Sequence, residues 1–193
     1  MLRTLPKTRD FTELQRVAMI AVFTVLMIIF TQIKIQTVPV PFTMQPFAVL
    51  LAGLVLGGRD GALAMATYVG LIALGFPVDS NNIGAAALAG PTAGYIFGFV
   101  LAAGVVGFLT ERGAERFWLR FAAGLVGIAV IYVFGTAFLK FHLGVDWSKA
   151  WELGVRPFLG LDILKALIAA GLAEGTRRFL LQTLLPTDKM NNG

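Results

Sequence analysis

The sequence predicts an all-α integral membrane bundle of six transmembrane helices, a single domain over residues 1–193 with both termini in the cytoplasm. Three observations predict it. Hydrophobic residues make up 57% of the chain and charged residues 14%, well under the roughly 25% usual in soluble domains. Uncharged runs recur, several close to the ~20 residues that cross a bilayer, and mean hydropathy is +0.79. Lysine and arginine are also asymmetric: 11 of the 16 lie in the N-terminal tail, the 57–61 turn, the 111–120 loop and the C-terminal end, against 4 on the opposite side. Basic residues concentrate on cytoplasmic loops, so the majority side is the cytoplasmic one. The net charge of +5 and pI near 9.9 follow from this bias and do not point to nucleic acid. With no cysteine and a single histidine, His142, disulfides, thiolate nucleophiles and Cys- or His-rich metal sites are excluded.

Taken in order, residues 1–13 are a basic polar tail and 17–33 the first span, extendable to Leu14. No small-residue cleavage signature ends that run, so it is not read as a cleaved signal peptide. Ala18 and Ala21 form a small-residue stripe that lets another helix approach closely. The stretch 35–47, I-Q-T-V-P-V-P-F-T-M-Q-P-F, holds Pro39, Pro41 and Pro46, which remove backbone donors and break a regular helix. Irregular backbone near membrane depth persists only where protein covers it or it lines a cavity. Thr43 and Gln45 are therefore candidate pocket groups, the alternative being a plain outer loop.

Second and third helices are expected over 47–56 and 62–74, short for a full span, with a glycine-rich hinge at 57–61. That hinge lacks the Lys and Ser/Thr of a phosphate loop, and no Walker A sequence occurs in the chain. A turn-rich loop, 75–84, carries Asp79, Asn81 and Asn82. Gly90-Pro91-Thr92 opens a fourth helix running to Thr110, with Gly94, Gly98, Ala102 and Gly107 keeping one side slim. Proline near a helix start costs no hydrogen bond. The fifth helix covers 121–139. A long polar loop, 140–156, follows, with Trp147 and Trp151 suited to the membrane–water boundary. The sixth helix covers 157–179, and 184–193 is a polar tail.

Asp162 and Lys165 sit inside the apolar run of the sixth helix. Ionised groups at such depth usually face a cavity or each other, and a spacing of three places both on one helix face. The pair is either a structural ion pair or part of a binding site. With the termini cytoplasmic, the proline stretch, the Asn loop and the start of the sixth helix all fall on the outer side, and that convergence favours a site. A membrane-embedded enzyme is the third possibility, since an acid and a base together can transfer protons. No Ser-His, Cys-His or metal cluster accompanies them, and enzymatic activity is not expected. A purely structural subunit leaves the outward polar convergence unexplained.

Four stretches carry a resemblance: P-V-P-F-T-M-Q-P-F-A-V-L-L-A-G (39–53), L-G-F-P-V (74–78), G-P-T-A-G-Y-I-F-G-F (90–99) and R-P-F-L-G-L-D-I-L-K-A-L (156–167). In this order and spacing they resemble the BioY family, biotin-specific S-components of energy-coupling factor (ECF) transporters, over about residues 14–181. The resemblance implies a six-helix plasma-membrane protein, surrounded by lipid, that captures biotin from outside. It implies as partners a transmembrane coupling subunit and two ATPase subunits, or function without them as a homo-oligomer. No covalently bound cofactor is implied; biotin is the transported ligand. A transporter of the same kind for another small vitamin is the alternative, because fold does not settle ligand.

By that resemblance Asp162 and Asn82 meet the ureido ring of biotin, and Gln45, Thr43 and Tyr95 line the pocket. Phe42, Phe47 and Tyr95 are suited to pack the bicycle. A buried ligand carboxylate wants a cation. Either Lys165 stretches along the pocket to that carboxylate, which is preferred, or it neutralises Asp162 and another group meets the tail. The resemblance also implies a coupling-subunit contact on the first helix, where Val22 stands in place of a second four-spaced alanine after Ala18.

Overall fold

The structure, a computed structural model, describes residues 12–111 and 116–184. Most of the two expected polar tails, including Arg3, Lys7, Arg9 and Lys189, lies outside the described residues, as does Arg112. Seven α-helices are described: α1 Glu13–Gln32, α2 Gln45–Leu56, α3 Gly58–Ala73, α4 Ala93–Thr110, α5 Phe117–Leu143, α6 Trp147–Gly154 and α7 Leu159–Leu184. α1, α4 and α5 are long and apolar enough to cross a membrane. α7 has 26 residues but carries Asp162, Lys165 and Glu174. α2 and α3, at 12 and 16 residues, reach only ~18 and ~24 Å at 1.5 Å per residue.

Local chemistry explains where the elements differ from expectation. α1 starts at Glu13 because Thr12 caps it: the Thr12 hydroxyl accepts from the Gln15 N–H, and the Gln15 side chain accepts from the Thr12 N–H. This reciprocal box satisfies two orphan donors of the first turn. Pro46 does not delay α2, since it occupies the first turn, where a missing N–H is harmless. The hinge expected over 57–61 contracts to Gly57, whose φ of 84° suits glycine alone at little cost. The 140–156 loop is not wholly irregular. Asp146 caps α6 by accepting from the Lys149 N–H at 2.7 Å, and polar residues alternating with Trp147, Ala150 and Trp151 make that short helix amphipathic. Ala150 and Gly154 face inward; both tryptophans are exposed.

Within the proline stretch, a two-residue hairpin forms: β1 (Lys34–Ile35) pairs antiparallel with β2 (Phe42–Thr43), Lys34 opposite Thr43 and Ile35 opposite Phe42. Polar contacts gather at the far end of the bundle. Arg16 grips Asp60 through two hydrogen bonds of 2.7 and 3.1 Å. Arg120 donates to Glu174 at 2.6 Å and to the Ala170 carbonyl at 2.8 Å. These contacts tie α1 to α3 and α5 to α7 at the end opposite the hairpin.

Small residues bring the helices together. Ala166, Ala169, Ala170 and Ala173 form the inner stripe of α7 and are fully buried. Gly107 on α4 lies against Gly57 and Gly58, and a Cβ there would run into their backbone. Gly107→Val should therefore lower stability by about 1–3 kcal/mol, the usual size of overpacking. The check is the thermal midpoint of the purified protein in detergent, with Gly70→Ala, which meets open space, as the control.

Candidate functional site: a cavity between the hairpin, α4, α5 and α7

A cavity of about 500 Å³, including its open mouth, lies at the hairpin end of the bundle. Its walls are the hairpin and the start of α2 (Val40 to Pro46), Ser80, the first turns of α4, the middle of α5, Phe158 and α7. Six of the eight residues singled out from the sequence line it: Phe42, Thr43, Gln45, Tyr95, Asp162 and Lys165.

Asp162 and Lys165 are the charged centre, with side chains 3% and 5% exposed. Lys165 Nζ donates to Asp162 Oδ1 at 2.6 Å and to the Thr43 carbonyl at 2.6 Å, and lies 4.0 Å from the centroid of the Phe42 ring. Tyr132 Oη donates to Asp162 Oδ2 at 2.6 Å. Lys165 thus turns back onto its neighbour and the hairpin. Each carboxylate oxygen of Asp162 spends one lone pair and keeps another, so the carboxylate can still accept N–H donors from a ligand.

Thr43 and Gln45 belong to a hydrogen-bonded chain. Thr43 Oγ1 donates to Gln45 Oε1 at 3.0 Å, Gln45 Nε2 donates to Tyr68 Oη at 3.0 Å, and Tyr68 Oη donates to the Val78 carbonyl at 3.2 Å. The chain holds the hairpin against α3 and the 75–84 loop. Tyr95 is set by two glycines: its ring covers Gly135, and its hydroxyl donates to the Gly154 carbonyl at 2.8 Å. Phe42 stacks on Phe158, ring centroids 6.4 Å apart.

Asn82 is not brought to this wall. It sits exposed at φ 57°, a left-handed conformation that Asn tolerates. Its amide nitrogen can satisfy the Pro77 and Asp79 carbonyls, each at 3.2 Å. The loop is shaped by Asp79, buried, whose carboxylate accepts from the N–H groups of Asn81, Ile83 and Gly84 at 2.7–2.9 Å. That cap presents Ser80, not Asn82, to the cavity. Phe47 likewise turns away, packing edge-on against Phe30 of α1 at 5.3 Å. Sequence reasoning missed Tyr132, Phe158, Ser80 and Thr92. A lone tyrosine inside the apolar run 121–139 was the available signal for the first.

A buried acid–base pair, aromatic walls and a narrow set of polar groups, all held in an apolar helical bundle, describe a membrane protein with a small-molecule cavity. The BioY family profile matches residues 4–182, and the chain belongs to the BioY family. It is 44% identical over 153 residues to the biotin transporter BioY of Thermotoga maritima, covering 79% of this chain and 89% of that one. It is 37% identical over 172 residues to the biotin transporter BioY of Rhizobium etli, covering 84% and 90%. A crystal structure of the S-component for biotin from an ECF-type ABC transporter shares the fold with a TM-score of 0.78, at 23% identity, over 88% of this chain and 95% of that one.

Removing one charge of the centre leaves the other buried and unpaired, which typically costs about 3–5 kcal/mol. Lys165→Met should therefore destabilise strongly, whereas adding Asp162→Asn to it should recover a large part of the loss. Thermal midpoints of the two single variants and the double variant check this; additive losses would contradict it.

Proposed function

We propose that this chain captures biotin from the external side of the plasma membrane and carries it across as the substrate-binding subunit of an ECF-type ABC transporter. Membership of the BioY family and the biotin transporters among its relatives support this, and the cavity supplies the chemistry. The observation that carries it is the Asp162 carboxylate, buried at the cavity wall with lone pairs left over. In this reading it accepts the ureido N–H groups. Phe42, Phe158 and Tyr95 pack the bicycle, Thr43 and Gln45 complete the wall, and Lys165 supplies the counter-charge that holds Asp162 in place.

Six helices, α1 to α5 and α7, cross the bilayer in this proposal, with both termini cytoplasmic and the cavity opening outward. Trp147 and Trp151 then sit at the outer interface. The exposed face of α1, with Ala18, Ala21, Val22 and Val25, is the surface offered to a transmembrane coupling subunit, two ATPase subunits completing the assembly. The same face would serve a homo-oligomer.

The test is titration of the purified, detergent-solubilised chain with labelled biotin. Saturable binding should be displaced by unlabelled biotin and not by riboflavin or thiamine. Asp162→Ala should weaken it by about a hundredfold or more, in line with the 2–5 kcal/mol lost when a buried charged acceptor is truncated. Undiminished affinity in that variant, or displacement by another vitamin, would overturn the assignment.

A further inference from the structure

The corner where α5 turns into α6 holds a cation with its donors unspent. Four basic residues lie at the cavity end of the chain. Lys34 donates to the Ser80 carbonyl and to Gln32 Oε1, Lys149 pairs with Glu152 at 3.2 Å, and Arg156 is exposed. Lys140 is half-buried. Among the described residues its ammonium has neither a carboxylate partner nor a hydrogen-bond acceptor. Its Nζ lies instead 4.9 Å from the centroid of the Phe141 ring and 5.3 Å from that of Trp147. Ring faces attract a cation, but they leave an ammonium's three N–H donors without oxygen acceptors. The end of α5 does not supply one, because the Lys140 carbonyl already accepts from the Gly144 and Val145 N–H groups. The two acids of the following segment are engaged elsewhere, Asp146 in capping α6 and Glu152 with Lys149.

The surroundings are apolar. Phe141, Leu143, Trp147 and Trp151 are all exposed on this corner. In a plasma-membrane protein, tryptophans of this kind sit at the headgroup level, where lipid phosphates are the abundant anions. A free phosphate could use the ammonium but would leave the apolar surface bare. An amphiphile with an anionic head satisfies both.

We propose that Lys140, framed by Phe141 and Trp147, docks the phosphate of an anionic phospholipid, whose acyl chains run along the exposed apolar residues of the α5–α6 corner. This does not depend on which vitamin fills the cavity. It gives α6 two attachments. Its first residue, Trp147, shares the lipid with Lys140, and its last, Gly154, accepts the Tyr95 hydroxyl through its carbonyl.

The experiment reads Trp147 fluorescence in the full chain carrying Trp118→Phe and Trp151→Phe, which leaves one tryptophan of the three. The protein is reconstituted in mixed vesicles of phosphatidylglycerol and phosphatidylcholine, with one lipid or the other brominated as a quencher. Brominated phosphatidylglycerol should quench more than its share of the bilayer predicts. Lys140→Gln should cut that preference about fivefold, the size of one lysine's attraction to an anionic membrane surface. Lys140→Arg and Lys149→Gln should both keep it. Unchanged quenching by brominated phosphatidylcholine reports that each variant is folded and inserted. Replacing sodium chloride by sodium phosphate at equal ionic strength should leave the preference in place. Equal quenching by the two lipids before any change at Lys140, a preference that survives Lys140→Gln, or one that Lys149→Gln also removes, overturns the site. Loss of the preference in inorganic phosphate overturns the lipid as its occupant.

Discussion

The buried contact between Lys165 and Asp162 is the constraint around which the site end of this bundle is arranged. Two charges in an apolar interior are costly unless each finds hydrogen bonds as well as its partner. The fold meets that demand from three directions at once. α7 supplies both charges, the hairpin gives the Thr43 carbonyl to Lys165, and α5 gives the Tyr132 hydroxyl to Asp162. The contact therefore fixes the hairpin, α5 and α7 relative to one another, and the space between them is the cavity.

That arrangement explains why the chain tolerates three prolines and a two-residue hairpin beside apolar helices. The carbonyl left free by irregular backbone at Thr43 is the one the ammonium needs. Thr43 and Gln45 then carry the constraint outward through Tyr68 to the Val78 carbonyl, so the 75–84 loop is held by the same network. At the opposite end Arg16–Asp60 and Arg120–Glu174 close the bundle with partly buried ion pairs that line no described cavity. The two ends are built alike in chemistry and differ in packing: glycines close the α2–α3 turn onto α4 at Gly107, whereas bulky aromatics prop the hairpin end open.

What could be read from residue order follows the same physics. Asp162 and Lys165 stood out because charge inside an apolar run is conspicuous, and Thr43 and Gln45 because proline forbids a helix there. Helix existence was legible from hydropathy; the ends were not, since Thr12 and Pro46 act through capping geometry. α6 was hidden because its polar residues look like loop until Asp146 caps it. Among Asp79, Ser80, Asn81 and Asn82, composition cannot say which side chain faces inward. Three backbone bonds to Asp79 decide it, and they turn Asn82 outward. Tyr132 and Phe158 are ordinary apolar-run residues whose roles exist only once α5, α7 and the hairpin meet.

The make-up of the cavity wall bears on selectivity. Asp162 alone rewards any ligand with N–H donors, and aromatic walls reward any flat apolar body, so neither separates biotin from other heterocycles. Discrimination against a rival comes from buried polar groups that the rival leaves unpaired. A molecule without N–H donors leaves the spare lone pairs of Asp162 unmet in an apolar wall.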